Sequence, residues 1–177
     1  VVGAFASAVS AAILAVADPF TFRAAALWLF GGFGGASWSA VGRFLVAGIP
    51  GLLLLGWVAR GLDLLALGDD TAISLGADAP RIRRWAVVAT ALVTAATVSV
   101  AGVIGFVGLV VPHALRWTVG PLHRGLLPAA FLAGGGFTVL ADAGARTVLA
   151  PAELPVGVVT ALVGVPIFAV LLRRSAA

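Results

Sequence analysis

The chain has no cysteine, which excludes disulfides, thiolate metal sites and a cysteine nucleophile and leaves the redox compartment open. It has no lysine either: all eleven basic residues are arginine. A phosphate-cradling loop that ends in Gly-Lys-Ser/Thr needs the lysine to reach the phosphates. If ATP drives any process here, a different chain must bind it. Charge is scarce at 10% of residues, against 62% hydrophobic and a mean hydropathy of +1.16, whereas soluble domains carry about a quarter charged residues. The composition is that of a membrane protein. A net charge of +4 and a pI near 11.6 raise the question of nucleic acid, but the arginines are scattered between apolar runs and form no dense basic face. Orientation in a bilayer explains them more simply.

What is abundant is apolar and small. Apolar runs predict helices at Val1–Ala17, Phe44–Ala59, Trp85–Gly102, Val103–Val119, Gly125–Ala141 and Val156–Leu172. Several fall short of the ~20 residues that span a ~30 Å hydrocarbon core. A shorter amphipathic piece, Ala24–Phe30, leads into Gly31, Gly32, Gly34 and Gly35 and reads as an interfacial or re-entrant turn. Trp28 and Trp38 then sit either at headgroup depth or in packing contacts. Gly102, Gly105 and Gly108 recur along one short helix and Gly134, Gly135 and Gly136 interrupt another, as expected where close backbone approach drives helix association in lipid.

Arginine placement sets the topology. Arg60, Arg81, Arg83 and Arg84 flank a polar segment holding Asp63, Asp69, Asp70 and Asp78, and Arg173 and Arg174 lie near the C-terminus. The positive-inside rule makes both regions cytoplasmic. One helix follows the polar loop Asp142–Pro155, so that loop is outside, and parity requires an odd number of crossings between Arg84 and Asp142. Residues 85–141 number 57, about 85 Å of helix at ~1.5 Å per residue. Three short crossings fit, with turns at Gly102–Gly105 outside and Gly120–Arg124 inside.

Within the cytoplasmic segment 60–84, Asp69, Asp70 and Thr71 are placed to cap a short helix Ala72–Leu75 that ends at Gly76. A second short helix is expected after Asp78, with Pro80 in its first turn. The pair forms either a compact docking knob or a solvated loop with incidental caps. At the outer end Asp142 and Arg146 stand four apart, a spacing for a same-face ion pair. His113 and His123 lie on different segments without carboxylate–histidine spacing, so metal ligation is not expected. His113, beside Pro112, is expected to bond a carbonyl that the proline frees.

Four separated stretches, GVIGFVGLVVPHALR (Gly102 to Arg116), WLFGGFGGASW (Trp28 to Trp38), LGDDTAISLGAD (Leu67 to Asp78) and ELPVGVVTALVGVPIF (Glu153 to Phe168), resemble the FecCD-type permeases. These are the membrane subunits of ABC importers for ferric siderophores, haem and cobalamin. The resemblance runs nearly end to end, and the C-terminal half looks especially like the cobalamin permeases. It implies an all-α, polytopic integral membrane bundle, the C-terminal part of a ten-helix permease in a bacterial inner membrane with a cytoplasmic C-terminus. The start within an apolar run, without an initiator methionine, fits that expectation of a missing N-terminal part. The implied partners are two copies of an ABC ATPase, a second permease copy, an extracytoplasmic binding protein and membrane lipid. No cofactor and no covalent chemistry are implied, because chelates cross as whole complexes. By the same resemblance Gly68, Asp70, Thr71, Leu75 and Gly76 face the ATPase, Arg146 docks an acidic patch of the binding protein, and Glu153 and Pro155 form the outer turn before the last helix. A ferric siderophore or other iron complex is the expected cargo, with haem or cobalamin next.

Two other classes of membrane protein make different demands on a sequence. An ion-driven secondary transporter places carboxylates near the bilayer midplane, and none of the seven acids clearly sits mid-helix. An intramembrane hydrolase needs a coherent Ser/His, paired Asp or HExxH constellation, and the sequence has none.

Overall fold

The computed structural model describes residues 2–148 and 154–175, and the described residues form helices without strands. In chain order these are α1 (Val2–Val16), α2 (Pro19–Leu29), α3 (Trp38–Leu65), α4 (Asp69–Ser74), α5 (Ala79–Ala101), α6 (Val107–Val119), α7 (His123–Thr147) and α8 (Val156–Ser175). α3, α5 and α7, at 28, 23 and 25 residues, are long and apolar enough to cross a membrane.

The starts of α2, α3 and α5 fall where polar caps lie, and several helices outrun the apolar stretches that announce them. α2 begins at Pro19 and not near Ala24, because the Asp18 side chain accepts from the Phe20 and Thr21 amides and Pro19 occupies the first turn, where its missing N–H costs nothing. Hydrogen bonds from the Thr21 hydroxyl and amide hold the Asp18 carboxyl below its ordinary range. α3 starts at Trp38 behind a Ser37 cap on the Ala40 amide and continues six residues beyond Ala59. The second short helix expected after Asp78 does not exist as a separate unit. Asp78 caps the Arg81 amide and the chain runs unbroken from Ala79 to Ala101. Likewise Gly134–Gly136 do not interrupt α7, which continues to Thr147. Trp38 is 90% exposed, so it is not a packing residue within this chain.

The direction of the chain reverses as parity demands. At one end the Gly32 amide donates to Ala101 O, Val156 N to Gly31 O and Gly157 N to Phe30 O, so the end of α2, the end of α5 and the start of α8 meet there. At the opposite end His123, the first residue of α7, bonds Asp63 near the end of α3. α3, α5, α6, α7 and α8 therefore alternate between the two ends. Gly120–Arg124 lies at the same end as α4, in line with three passes between Arg84 and Asp142.

α6 departs from the expected Val103 start. It begins at Val107, and its 13 residues make about 20 Å of helix, too short alone for a ~30 Å core. It is preceded by the non-helical segment 102–106, in which Gly102 (φ 70°) and Phe106 (φ 67°) are left-handed and Gly102 is buried. In a bilayer such irregular backbone is tolerated where protein surrounds it. Of the glycine series, then, Gly102 and Gly105 belong to this segment and only Gly108 to α6. A Cβ on Gly102 would collide with the Trp28 carbonyl oxygen, and one on Gly157 with that of Phe30. The three backbones approach so closely that only hydrogen fits between them.

α3 and α5 pack antiparallel through the same device of small residues. Gly51 lies against Leu92, Val93 and the Ala89 carbonyl, and Gly61 against Ile82. α6, α7 and α8 pack on one another as a second group. Their contact with α3 is looser, leaving an apolar groove of about 450 Å³ between Leu52 and Leu55 of α3 and Leu127 and Phe131 of α7.

Candidate functional site: two ends of a helical bundle

At the α4 end, Leu65 ends α3 and the chain turns through Gly68, whose φ of 103° is open to glycine and costly for other residues. Gly68 itself is the N-cap of α4 and offers no side-chain bond. The capping expected of Asp69, Asp70 and Thr71 therefore does not occur: all three lie within α4, with Asp69 and Asp70 in its first turn, where negative charge complements the helix dipole. The Asp69 carboxylate also receives Nη2 of Arg83, 2.5 Å to Oδ1 and 2.7 Å to Oδ2, which ties α4 to α5. Both partners are half exposed, so the tie fixes position more than it stabilises.

Gly76 closes α4. Its φ is 82°, the Gly76 amide bonds Ile73 O, and the Ala77 amide reaches back to Ala72 O, the paired bonding of a Schellman ending. Within α4 Ala72 is fully buried, while Leu67, Ile73 and Leu75 stand 59% or more exposed. Three large apolar side chains on and beside α4 thus form an exposed apolar patch among charged neighbours.

The same end carries a contact the sequence reading missed. Asp63 Oδ1 accepts the His123 backbone N–H at 2.7 Å and lies 2.7 Å from His123 Nδ1, and both side chains are largely covered. Sixty residues separate them, so no local spacing signals the pair; only the fold-level parity argument puts them at one end. His113 is oriented differently from expectation. Its ring meets Trp117 and Phe168 edge-on, with centroids 6.3 and 6.2 Å apart, and among the described residues it bonds no freed carbonyl. Among the described residues no three His, Cys, Asp or Glu side chains gather as a metal site.

At the other end a cavity of about 630 Å³ opens between α2, the Gly31–Gly35 turn, α7 and α8. Arg23, Trp28, Asp142, Arg146 and Val156 line it. Arg146 grips Asp142 with Nε at 2.9 Å and Nη2 at 3.3 Å, so the pair expected from its spacing is formed. Arg23, not singled out in the sequence, reaches the same cavity because α2 starts early. Pro155 immediately precedes α8; Glu153 lies outside the described residues.

Comparison with known proteins gives these two ends a context. Over 151 residues the chain is 46% identical to the cobalamin import system permease protein BtuC of Halobacterium salinarum, covering 85% of this chain and 40% of that protein. It is 42% identical over 148 residues to the iron(3+)-hydroxamate import system permease protein FhuB of Bacillus subtilis, covering 84% and 38%. A vitamin B12 import system permease protein BtuC from Salmonella schwarzengrund is 45% identical over 157 residues, covering 89% and 48%. The chain thus spans less than half the length of these relatives. Among solved structures, a metal-chelate type ABC transporter in an inward-facing conformation superposes with a TM-score of 0.85 at 32% identity, over 95% of this chain and 55% of that one. The model of the FecCD transport family matches residues 1–174, and the chain belongs to that family.

Proposed function

We propose that this chain forms part of the permease subunit of an ABC importer that moves a metal chelate, a ferric siderophore or cobalamin-like complex, inward across a bacterial plasma membrane. Two ATPase subunits energise it, a second permease copy completes the path, and an extracytoplasmic binding protein delivers the cargo. The observation that carries this reading is α4. A six-residue helix held by Asp69–Arg83 and ended by Gly76 exposes Leu67, Ile73 and Leu75, and residues 1–177 contain no lysine to complete a phosphate-cradling loop of their own. In this reading Gly68, Asp70, Thr71, Leu75 and Gly76 meet the ATPase on the cytoplasmic side, where the C-terminus also lies.

The full-length protein, reconstituted with its ATPase and binding protein, is expected to accumulate a ferric hydroxamate or cobalamin in vesicles only when ATP and the binding protein are both supplied. Uptake driven by an ion gradient without ATP would replace this reading with secondary transport.

The outer cavity makes a separate prediction. Arg146→Glu should reduce binding-protein stimulation of ATP hydrolysis while sparing the basal rate, with the loss shrinking at high salt as charges beyond about 8–10 Å are screened. An acid-to-arginine change on the binding protein should restore part of it. If Arg146 serves only to pair with Asp142, Asp142→Ala should reproduce the defect and no change on the partner should repair it.

A further inference from the structure

α7 begins without a cap of its own. Its N-cap residue is Leu122, which has no side-chain acceptor, and the acceptor comes instead from another helix. Asp63 of α3 takes the amide hydrogen of His123, the first residue of α7, and holds its ring through Nδ1 with the same carboxylate oxygen. A carboxylate at this position satisfies an orphan donor and opposes the positive end of the helix dipole. The consequence is mechanical. α4 is joined to α3 by the short turn 66–68 and to α5 by Asp69–Arg83, and α3 and α5 are closely packed through Gly51 and Gly61. A push on α4 therefore moves α3 and α5 together. Farther along α3 the contact with α7 gives way to the apolar groove beside Leu52, Leu55 and Phe131, so the hydrogen-bonded connection from α3 to α7 is at this end.

We propose that the Asp63–His123 bridge is the strut that passes displacement of α4 from the α3–α5 pair into α7, with Asp63 and His123 acting as positioning residues for transport. The proposal rests on reading α4 as the ATPase contact. Loss of the strut should leave the ATPase bound and turning over while the far helix group fails to follow. In the reconstituted full-length transporter Asp63→Ala should keep ATPase copurification and basal hydrolysis, and the cargo moved per ATP should fall about tenfold, the scale set by losing a charged N-cap. Asp63→Asn keeps an acceptor oxygen for the amide and should retain most of the coupling. Asp63→Ala combined with His123→Ala should be no worse than Asp63→Ala alone, because the two act through one contact.

If Asp63→Ala does not accumulate in the membrane, Asp63→Ser, whose shorter side chain falls short of the His123 amide, carries the test through the same ratio. An unchanged ratio of cargo to ATP in Asp63→Ala, or in Asp63→Ser where that variant must serve, overturns the strut while leaving the importer reading in place. Equal uncoupling by Asp63→Asn and Asp63→Ala also overturns it, since the acceptor would then be irrelevant. A wild-type protein that neither retains the ATPase nor transports with ATP overturns the importer reading and the strut with it.

Discussion

Gly157→Ala is expected to lower the stability of the folded protein in detergent by about 3 kcal/mol or more, the upper part of the range for overpacking. The added methyl would strike the Phe30 carbonyl oxygen, a main-chain atom that cannot rotate aside as a side-chain terminus can. The helix would have to back away, weakening the bonds from Val156 N to Gly31 O and from Gly157 N to Phe30 O, each worth about 1 kcal/mol. Gly102→Ala should be at least as damaging, because it adds a left-handed backbone cost to a collision with Trp28 O. Gly134→Ala supplies the control. Its new methyl would lie 3.6 Å from Val107 Cγ1, an ordinary contact inside a helix where alanine is preferred by about 0.5–1 kcal/mol. Thermal unfolding of the three variants should separate them widely, and a Gly157→Ala midpoint equal to that of Gly134→Ala would remove the close-packed junction from the account.

Under the proposed importer reading, Gly76→Val should cut association with the ATPase about tenfold or more while membrane insertion and bundle stability stay normal. No atom lies within 4 Å of a Cβ at this position, so the cost is purely conformational, about 1–2 kcal/mol for a left-handed residue and more for a β-branched one. α4 has six residues and little cooperativity to absorb that cost. Gly76→Asn, which tolerates the left-handed region, should bind nearly as wild type. Copurification yields across the glycine, asparagine and valine series give the readout; equal yields for all three would mean that the ending of α4 does not shape the contact.

Much of this architecture was legible because it follows from solvent and charge. The apolar runs located six of the helices, and arginine placement with parity put Gly120–Arg124 at the α4 end, where His123 meets Asp63. Boundaries were less legible. Apolarity marks the part of a helix that lipid touches, whereas the helix itself runs on to its next cap, so α3 reaches Leu65 and α5 starts at Ala79. The Asp18 cap and Pro19 that start α2 lie upstream of the amphipathic pattern at Ala24–Phe30, which marks only the later part of that helix. For the candidate sites, the left-handed ending at Gly76 and the Asp142–Arg146 pair were readable from local rules of spacing and turn chemistry. The capping of α4 was misread, because Gly68 takes the cap position and carries Asp70 and Thr71 into the helix. Phe106 in a left-handed conformation and the Asp63–His123 bridge had no local signature, since each depends on what another helix presents.

The two ends of the bundle are fastened by different materials. Around Gly31, Gly102 and Gly157 the bonds between segments are main-chain amides and carbonyls, which carry no net charge and keep their identity under most substitutions. Around α4 they run through carboxylates, Asp63 with the amide and ring of His123 and Asp69 in an ion pair with Arg83, the last of which ionic strength weakens. In the orientation proposed, the charge-neutral fastening faces surroundings whose salinity the cell does not control, and the salt-responsive one faces a fluid whose composition the cell keeps constant. A molecule built this way stays closed against the weather outside and leaves its adjustable joints indoors.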